Sequence, residues 1–205
     1  MSLFEDTYKT ITVASSGTFR DKGSKFIAYL LPFSDEAQLK EILNEIRSQH
    51  PKARHYCYAY RLTTDPSVYR VNDDGEPSGS AGRPILNTLL SHEITNVLAV
   101  VVRYFGGTLL GIPGLIHAYK TATVEAIAEA NIFNKRIEER YRITFKYPSM
   151  HDIMRLIKHE NLETLNQQFE LDCMIEIKIP KAQVTPFLNK IQLLPDIKTE
   201  FIGLE

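Results

Sequence analysis

Val97–Val102, VLAVVV, is an unbroken apolar run with no polar face. A half-buried strand alternates polar and apolar side chains. A strand without alternation needs cover on both faces, so it reads as a central strand of a sheet. A strand buried on both faces asks for a sizeable core. The chain is long enough to supply it: 205 residues make one large domain or two small ones.

Glycine distribution suggests two. Nine of the ten glycines lie between Gly17 and Gly114, and only Gly203 follows. Beyond about residue 135 the chain is richer in Ile, Glu and Lys. A boundary is therefore expected near Asn134–Glu138, giving domains over residues 1–135 and 136–205.

Before the boundary, Ser24–Phe33 reads as a mostly apolar strand. Ser34 is a candidate N-cap for a helix over Asp35–Gln49. His55–Leu62 alternates and reads as a strand, as does Val68–Asn72. Pro84 suits the first turn of a short helix reaching His92, and a long helix is expected from Pro113 to Ala130. After the boundary the pattern predicts a strand over Tyr141–Tyr147 and a helix capped by Ser149 through His159. Strands over Glu163–Glu170 and Asp172–Ile179, a helix over Lys181–Leu193 and a strand over Ile197–Ile202 follow. The order is βαββαβ, the ferredoxin-like split unit, so the fold class is α+β. Inward positions should include Ile153, Leu156, Ile175, Ile177, Phe187, Leu188 and Ile191.

Two glycine-rich segments are the candidates for chemistry. In VNDDGEPSGSAGRP, Asp73, Asp74 and Glu76 precede the small residues Gly79, Ser80 and Gly82. Small residues let backbone N–H groups approach an anion, while the acids could hold a hard cation; an Asp-Gly surface turn is the plain alternative. In RYFGGTLLGIPG a strand end carrying Arg103 and Tyr104 runs through Gly106 and Gly107 into a helix start. Helix N-termini favour anions, Arg103 could grip a phosphate, and an exposed aromatic could stack on a base. Alternatively, Arg103 pairs with an acid such as Asp74, and the aromatics are core. Because each loop flanks a strand of one sheet, the two should lie side by side, with Arg103 near Asp74 or Glu76.

Other patterns exclude function classes. No pair among the six histidines has metal spacing; His92-Glu93 begins like HExxH, but Asn96 occupies the second His position. His55 reads as a strand histidine with an outside claim to a catalytic or ligand role. Cys57 and Cys173 form no CxxC and read as small buried hydrophobes. No cofactor and no metal is expected. The first residues carry Glu5 and Asp6 without an apolar h-region, so a soluble cytoplasmic protein is expected. A net charge of −1 gives no global attraction to nucleic acid. Any RNA contact must use local patches: Lys22, Lys25, Arg54, Arg83 and Arg103, or Arg155, Lys158 and Lys178.

NDDGEPSGSAGRP followed by VLAVVVRYFGGTLLG strongly resembles the YigZ/IMPACT family. Lys22–Phe26 and His55–Ala59 match the family's earlier segments, and the match runs through about residues 20–125. The resemblance implies a first domain similar to domain 2 of small-subunit ribosomal protein S-five. It implies a second domain similar to domains of elongation factor G. It also implies regulation of translation, as in eukaryotic IMPACT proteins. Pro113 stands where the family usually has glycine, and His117 where it often has arginine. Pro113 removes an N–H from the helix start, so anion binding there should be weak.

The expected function is a translation-associated binding or regulatory protein. Its partner would be RNA, the ribosome or a protein of the translation machinery. The alternative is a small-molecule or phosphate-ligand enzyme built around the two loops. Exposed convergent groups at Arg103, Asp74 and Glu76 would favour a ligand; a closed Arg103–acid pair would favour a structural role.

Overall fold

A computed structural model describes residues 6–65, 67–170 and 172–204; Glu5 of the N-terminal reading lies outside them. The chain divides into two compact units, residues 8–135 and residues 136–204 with Asp6 and Thr7.

In the larger unit, β2 (Ser15–Asp21), β3 (Ser24–Pro32), β4 (His55–Arg61), β5 (Tyr69–Asn72) and β6 (Val97–Tyr104) form one antiparallel sheet of order β2-β3-β6-β4-β5. The apolar run thus lies in the central strand, and Val97–Arg103 is buried throughout. Its alternate residues enter two cores. Val97, Ala99 and Val101 pack with α2 (Gly82–Ser91) and α3 (Gly111–Ala128), joined by Cys57, Ala59, Phe26 and Leu30. Leu98, Val100 and Val102 pack with Leu43 and Ile46 of α1 (Leu39–Gln49), joined by Tyr56, Tyr58 and Tyr60. A two-stranded pair, β1 (Thr7–Ile11) with β7 (Ile132–Arg136), was not signalled by the sequence, nor was β2. In β2, SSGTFRD has few apolar residues, and no side chain there is fully buried.

In the smaller unit the order is β8 (Glu138–Lys146), α4 (Met150–His159), β9 (Glu163–Gln168), β10 (Asp172–Pro180), α5 (Lys181–Ile191) and β11 (Lys198–Leu204). This is the predicted βαββαβ order, in an antiparallel sheet of order β11-β8-β10-β9. Both helices cover one face, since Ile153 and Ile157 of α4 and Val184, Phe187 and Ile191 of α5 share a core with Ile143, Phe145, Ile175 and Ile177. Of the expected inward positions, Leu156 and Leu188 are only partly buried at its margin.

Two predicted caps are corrected. Asp35, not Ser34, caps the turn Glu36–Gln38 that leads into α1, its carboxylate accepting from the Ala37 N–H at 2.9 Å. Ser149 makes no cap: its backbone is already helical, and its hydroxyl donates to the Pro195 carbonyl at 3.3 Å. A capping side chain needs extended backbone to reach back to the first-turn N–H groups.

Candidate functional site

Strand register builds the site. His55, Arg103 and Phe26 are cross-strand partners on β4, β6 and β3, so their side chains share the face covered by α2 and α3. One position further along each strand, the next residues face α1.

The segment from Asp73 to Ala81 closes over that row. Asp73 organises it from within: its carboxylate accepts from the N–H groups of Gly79, Ala81 and Gly82 at 2.8–3.0 Å. The anion at this glycine-rich turn is therefore the chain's own side chain, which occupies the donors a phosphate would need. Asp74, at φ 41°, accepts from the Tyr56 N–H at 2.7 Å, and Arg47 stands 3.8 Å away. Gly79, at φ 75°, turns the chain in the left-handed region that a side chain would strain. Ser80 is buried and its hydroxyl donates to the Pro77 carbonyl at 2.6 Å.

Glu76 reaches inward. One oxygen accepts from Arg103 Nη1 at 2.6 Å and from the Tyr119 hydroxyl at 2.8 Å, with His55 Nε2 4.0 Å away. The Glu76 and Arg103 side chains are 4% and 6% exposed. The guanidinium lies between the rings of Phe26 and Phe105, at 5.4 and 5.6 Å from their centroids. Cys57 completes the cluster, its sulfur 3.0 Å from the Asp73 carbonyl oxygen and 3.3 Å from the Tyr119 oxygen, either of which can accept its one proton. Burial pushes both the Cys57 thiol and the Tyr119 hydroxyl well above their ordinary values, so both stay protonated. His55 Nδ1 pairs with the Asp74 carbonyl at 2.9 Å.

The two loops do lie side by side, and the acid beside Arg103 is Glu76 rather than Asp74. The pair is closed, so Arg103 leaves the list of basic patch residues. The cation-cradle alternative also fails, since the three acids point to three different sets of donors. Among the described residues no group of three His, Cys, Asp or Glu side chains is placed to share a metal ion.

The second loop is held by backbone proximity. A Cβ at Gly106 would fall 1.9 Å from the Gly23 carbonyl carbon, and the Gly106 N–H donates to Ser24 Oγ at 3.1 Å. Gly107, at φ 89°, has open space around it. Tyr104 is not the free stacking aromatic of the sequence reading. It faces α1, and its hydroxyl meets His50 Nδ1 at 2.8 Å, while Tyr29 meets His50 Nε2 at 2.7 Å. Sequence reasoning missed this Tyr29–His50–Tyr104 chain and the role of Tyr119. His117 packs edge-on against Phe19, and Pro113 is exposed in the first turn of α3. Of the other patch residues, Lys22 and Arg54 are exposed, Arg155 pairs with Asp152 at 3.1 Å and Lys178 stands 3.8 Å from Glu163. No helix among the described residues is long and apolar enough to cross a membrane.

Residues 22–127, which span this site, match the Impact N-terminal domain. IMPACT family member YigZ of Escherichia coli is 31% identical over 172 residues, covering 83% of this chain and 84% of that protein. IMPACT family member YvyE of Bacillus subtilis is 36% identical over 131 residues, covering 64% of this chain and 60% of that one. A crystal structure described as that of a hypothetical protein superposes with a TM-score of 0.77 at 26% identity, covering 98% of this chain and 99% of its own. The chain belongs to the IMPACT family.

Proposed function

We propose that this protein is a translation-associated binding or regulatory module that works in the cytoplasm on RNA, the ribosome or a protein of the translation machinery. The observation that carries the choice of a binding module over an enzyme is the closed Glu76–Arg103–Tyr119 cluster. A phosphate-ligand enzyme would need Arg103 and the acids to converge on an open cleft. Here Arg103 is spent on Glu76, Asp73 on its own loop and Asp74 on the β4 backbone. What this end of the sheet offers to a partner is exposed surface with Lys22 and Arg54 at hand.

Family membership supports the link to translation, which the resemblance to eukaryotic IMPACT proteins implies. The larger unit is read as similar to domain 2 of ribosomal protein S-five. The smaller is read as ferredoxin-like, a reading its βαββαβ order and β11-β8-β10-β9 sheet support. Function does not follow from fold alone, so the test is direct. The tagged full-length chain is crosslinked in cells, bound RNA and protein are identified, and lysates are run on sucrose gradients at low and high salt. Enrichment of ribosomal RNA, ribosomal proteins or translation factors, with salt-sensitive co-sedimentation, is expected. Recovery of none of these over a mock-tagged control would sink the reading.

A further inference from the structure

The exposed large apolar side chains of the larger unit concentrate after Arg103. Phe105 is 41% exposed, Leu109 82%, Ile112 54% and Ile116 40%. They run from the second glycine loop into the first turns of α3, where Ile112 and Ile116 stand one turn apart on the same outward face. Tyr119 and Thr123, seven residues on from Ile112 and Ile116, are buried, so the two exposed isoleucines form the uncovered N-terminal end of a stripe that runs on into the core. Soluble chains rarely leave so many aliphatic side chains in one short exposed stretch unless something covers them.

Charge says what covers them. No Asp or Glu occurs between Glu93 and Glu125, so the whole stretch lacks a negative charge. Lys120 continues the Ile112–Ile116 face one turn on and is exposed. Exposed Lys22 sits at the turn whose next residue, Gly23, packs backbone to backbone against Gly106. An apolar strip with a cation beside each end is complementary to an amphipathic segment that carries aliphatic side chains with acids beside them.

We infer that the Phe105–Ile116 strip is a docking surface for an acidic amphipathic segment of a partner protein. This rests on the binding-module reading and names the partner's chemistry. RNA fits less well: aliphatic side chains do not stack on bases, and the single aromatic here, Phe105, already lies over the Arg103 guanidinium. A second copy of the strip would bring the same two lysines and no acid to the interface, so it lacks the negative charge that complements them. Two lysines are few for an anionic membrane, where each contributes only about 1 kcal/mol.

The test is a random-peptide display selection on the full-length protein and, in parallel, on its Leu109→Asp/Ile112→Asp variant; both side chains are exposed, so the variant should fold. Peptides selected on the wild type should be enriched in Leu, Ile or Phe together with Asp or Glu. A synthetic peptide from that set should bind the variant at least about tenfold more weakly. Lys22→Glu/Lys120→Glu should weaken it and flatten its salt dependence. Enrichment of Lys and Arg, or equal binding to the variant, would overturn the inference. So would Leu109-dependent binding to phosphatidylglycerol vesicles or oligouridine that exceeds peptide binding, or self-association abolished by Leu109→Asp. The two readings separate cleanly. Ribosome co-sedimentation without selection of acidic peptides removes only the docking surface; acidic peptides without any translation component removes only the link to translation.

Discussion

Each unit buries one glutamate against arginine, and the surroundings of the two differ. Glu76 and Arg103 are both enclosed, sandwiched by Phe26, Phe105 and Tyr119. Glu176 is as deeply buried as Glu76, but its partners Arg140 and Arg142 remain 37% and 39% exposed. Asn166 donates to it as well, and Arg142 is shared with exposed Glu200. The arginine in the first case is a structural element. In the second, the acid anchors two cations that stay in water on the sheet face away from the helices. A buried ion pair loses both partners' hydration, and removing one partner strands the other; a half-exposed cation is simply rehydrated.

The largest expected effect follows from that contrast. Glu76→Ala should destabilise the larger unit by about 3–5 kcal/mol, because it leaves the enclosed guanidinium unpaired. Glu76→Ala with Arg103→Met should recover most of that loss, since no charge is then left buried. Chemical denaturation of the four members of the cycle measures it. A double variant as unstable as Glu76→Ala alone would mean that packing, not charge, holds the loop. Glu176→Gln should shift the denaturation midpoint by clearly less than Glu76→Ala, and an equal shift would erase the distinction between the two sites.

The contrast also marks what could be read from the sequence. The central strand was legible because burial on both faces removes alternation, and Val97–Val102 shows none. The βαββαβ order was legible because its elements alternate between periods of two and 3.6. Edge strand β2 was not, since SSGTFRD offers no apolar stripe. The proximity of the two loops followed from their flanking strands of one sheet. That Glu76 would turn inward depends on Tyr119, 43 residues away on α3, and no spacing rule connects them. Tyr29, His50 and Tyr104 are similarly scattered, and only the register of β3 with β6 brings two of them to one face.

Acid titration sharpens the comparison for the smaller unit. Arg140 first, then Asn166 and Arg142, hold the Glu176 carboxyl down at about 2, against an ordinary value of 4.5. Because the folded value is depressed, the stabilisation is fully present above about 4.5. It is lost as pH falls from there through about 2, where the native carboxylate takes up its proton. The protection of β10 amides, taken relative to their intrinsic exchange rate at each pH, should therefore fall across this window in the wild type, and Glu176→Gln should flatten the response. A wild-type profile unchanged between those limits would mean that the arginines do not grip the carboxylate in solution.

The smallest effect is expected at His50, on the α1 side of the larger sheet. Its two ring nitrogens meet the hydroxyls of Tyr29 and Tyr104, and Tyr56 donates to its carbonyl at 2.7 Å. Burial first, and the positive charge of Lys25 second, lower its pKa below the ordinary 6.5. The charged ring is thus disfavoured in the fold. In the unfolded chain His50 takes up a proton as pH falls past about 6.5, while the folded ring stays neutral until lower pH. Stability should be full above that value and decline gently below it, because the ring is only partly shielded. His50→Gln, which keeps a donor and an acceptor but cannot titrate there, should flatten this decline between about pH 7 and about pH 5 relative to the wild type. Thermal unfolding followed at closely spaced pH values resolves the difference. If the wild type instead gained stability below about pH 6.5 relative to His50→Gln, the ring would be protonated in the fold, and the Tyr29–His50–Tyr104 chain would be built around a cation rather than a neutral imidazole.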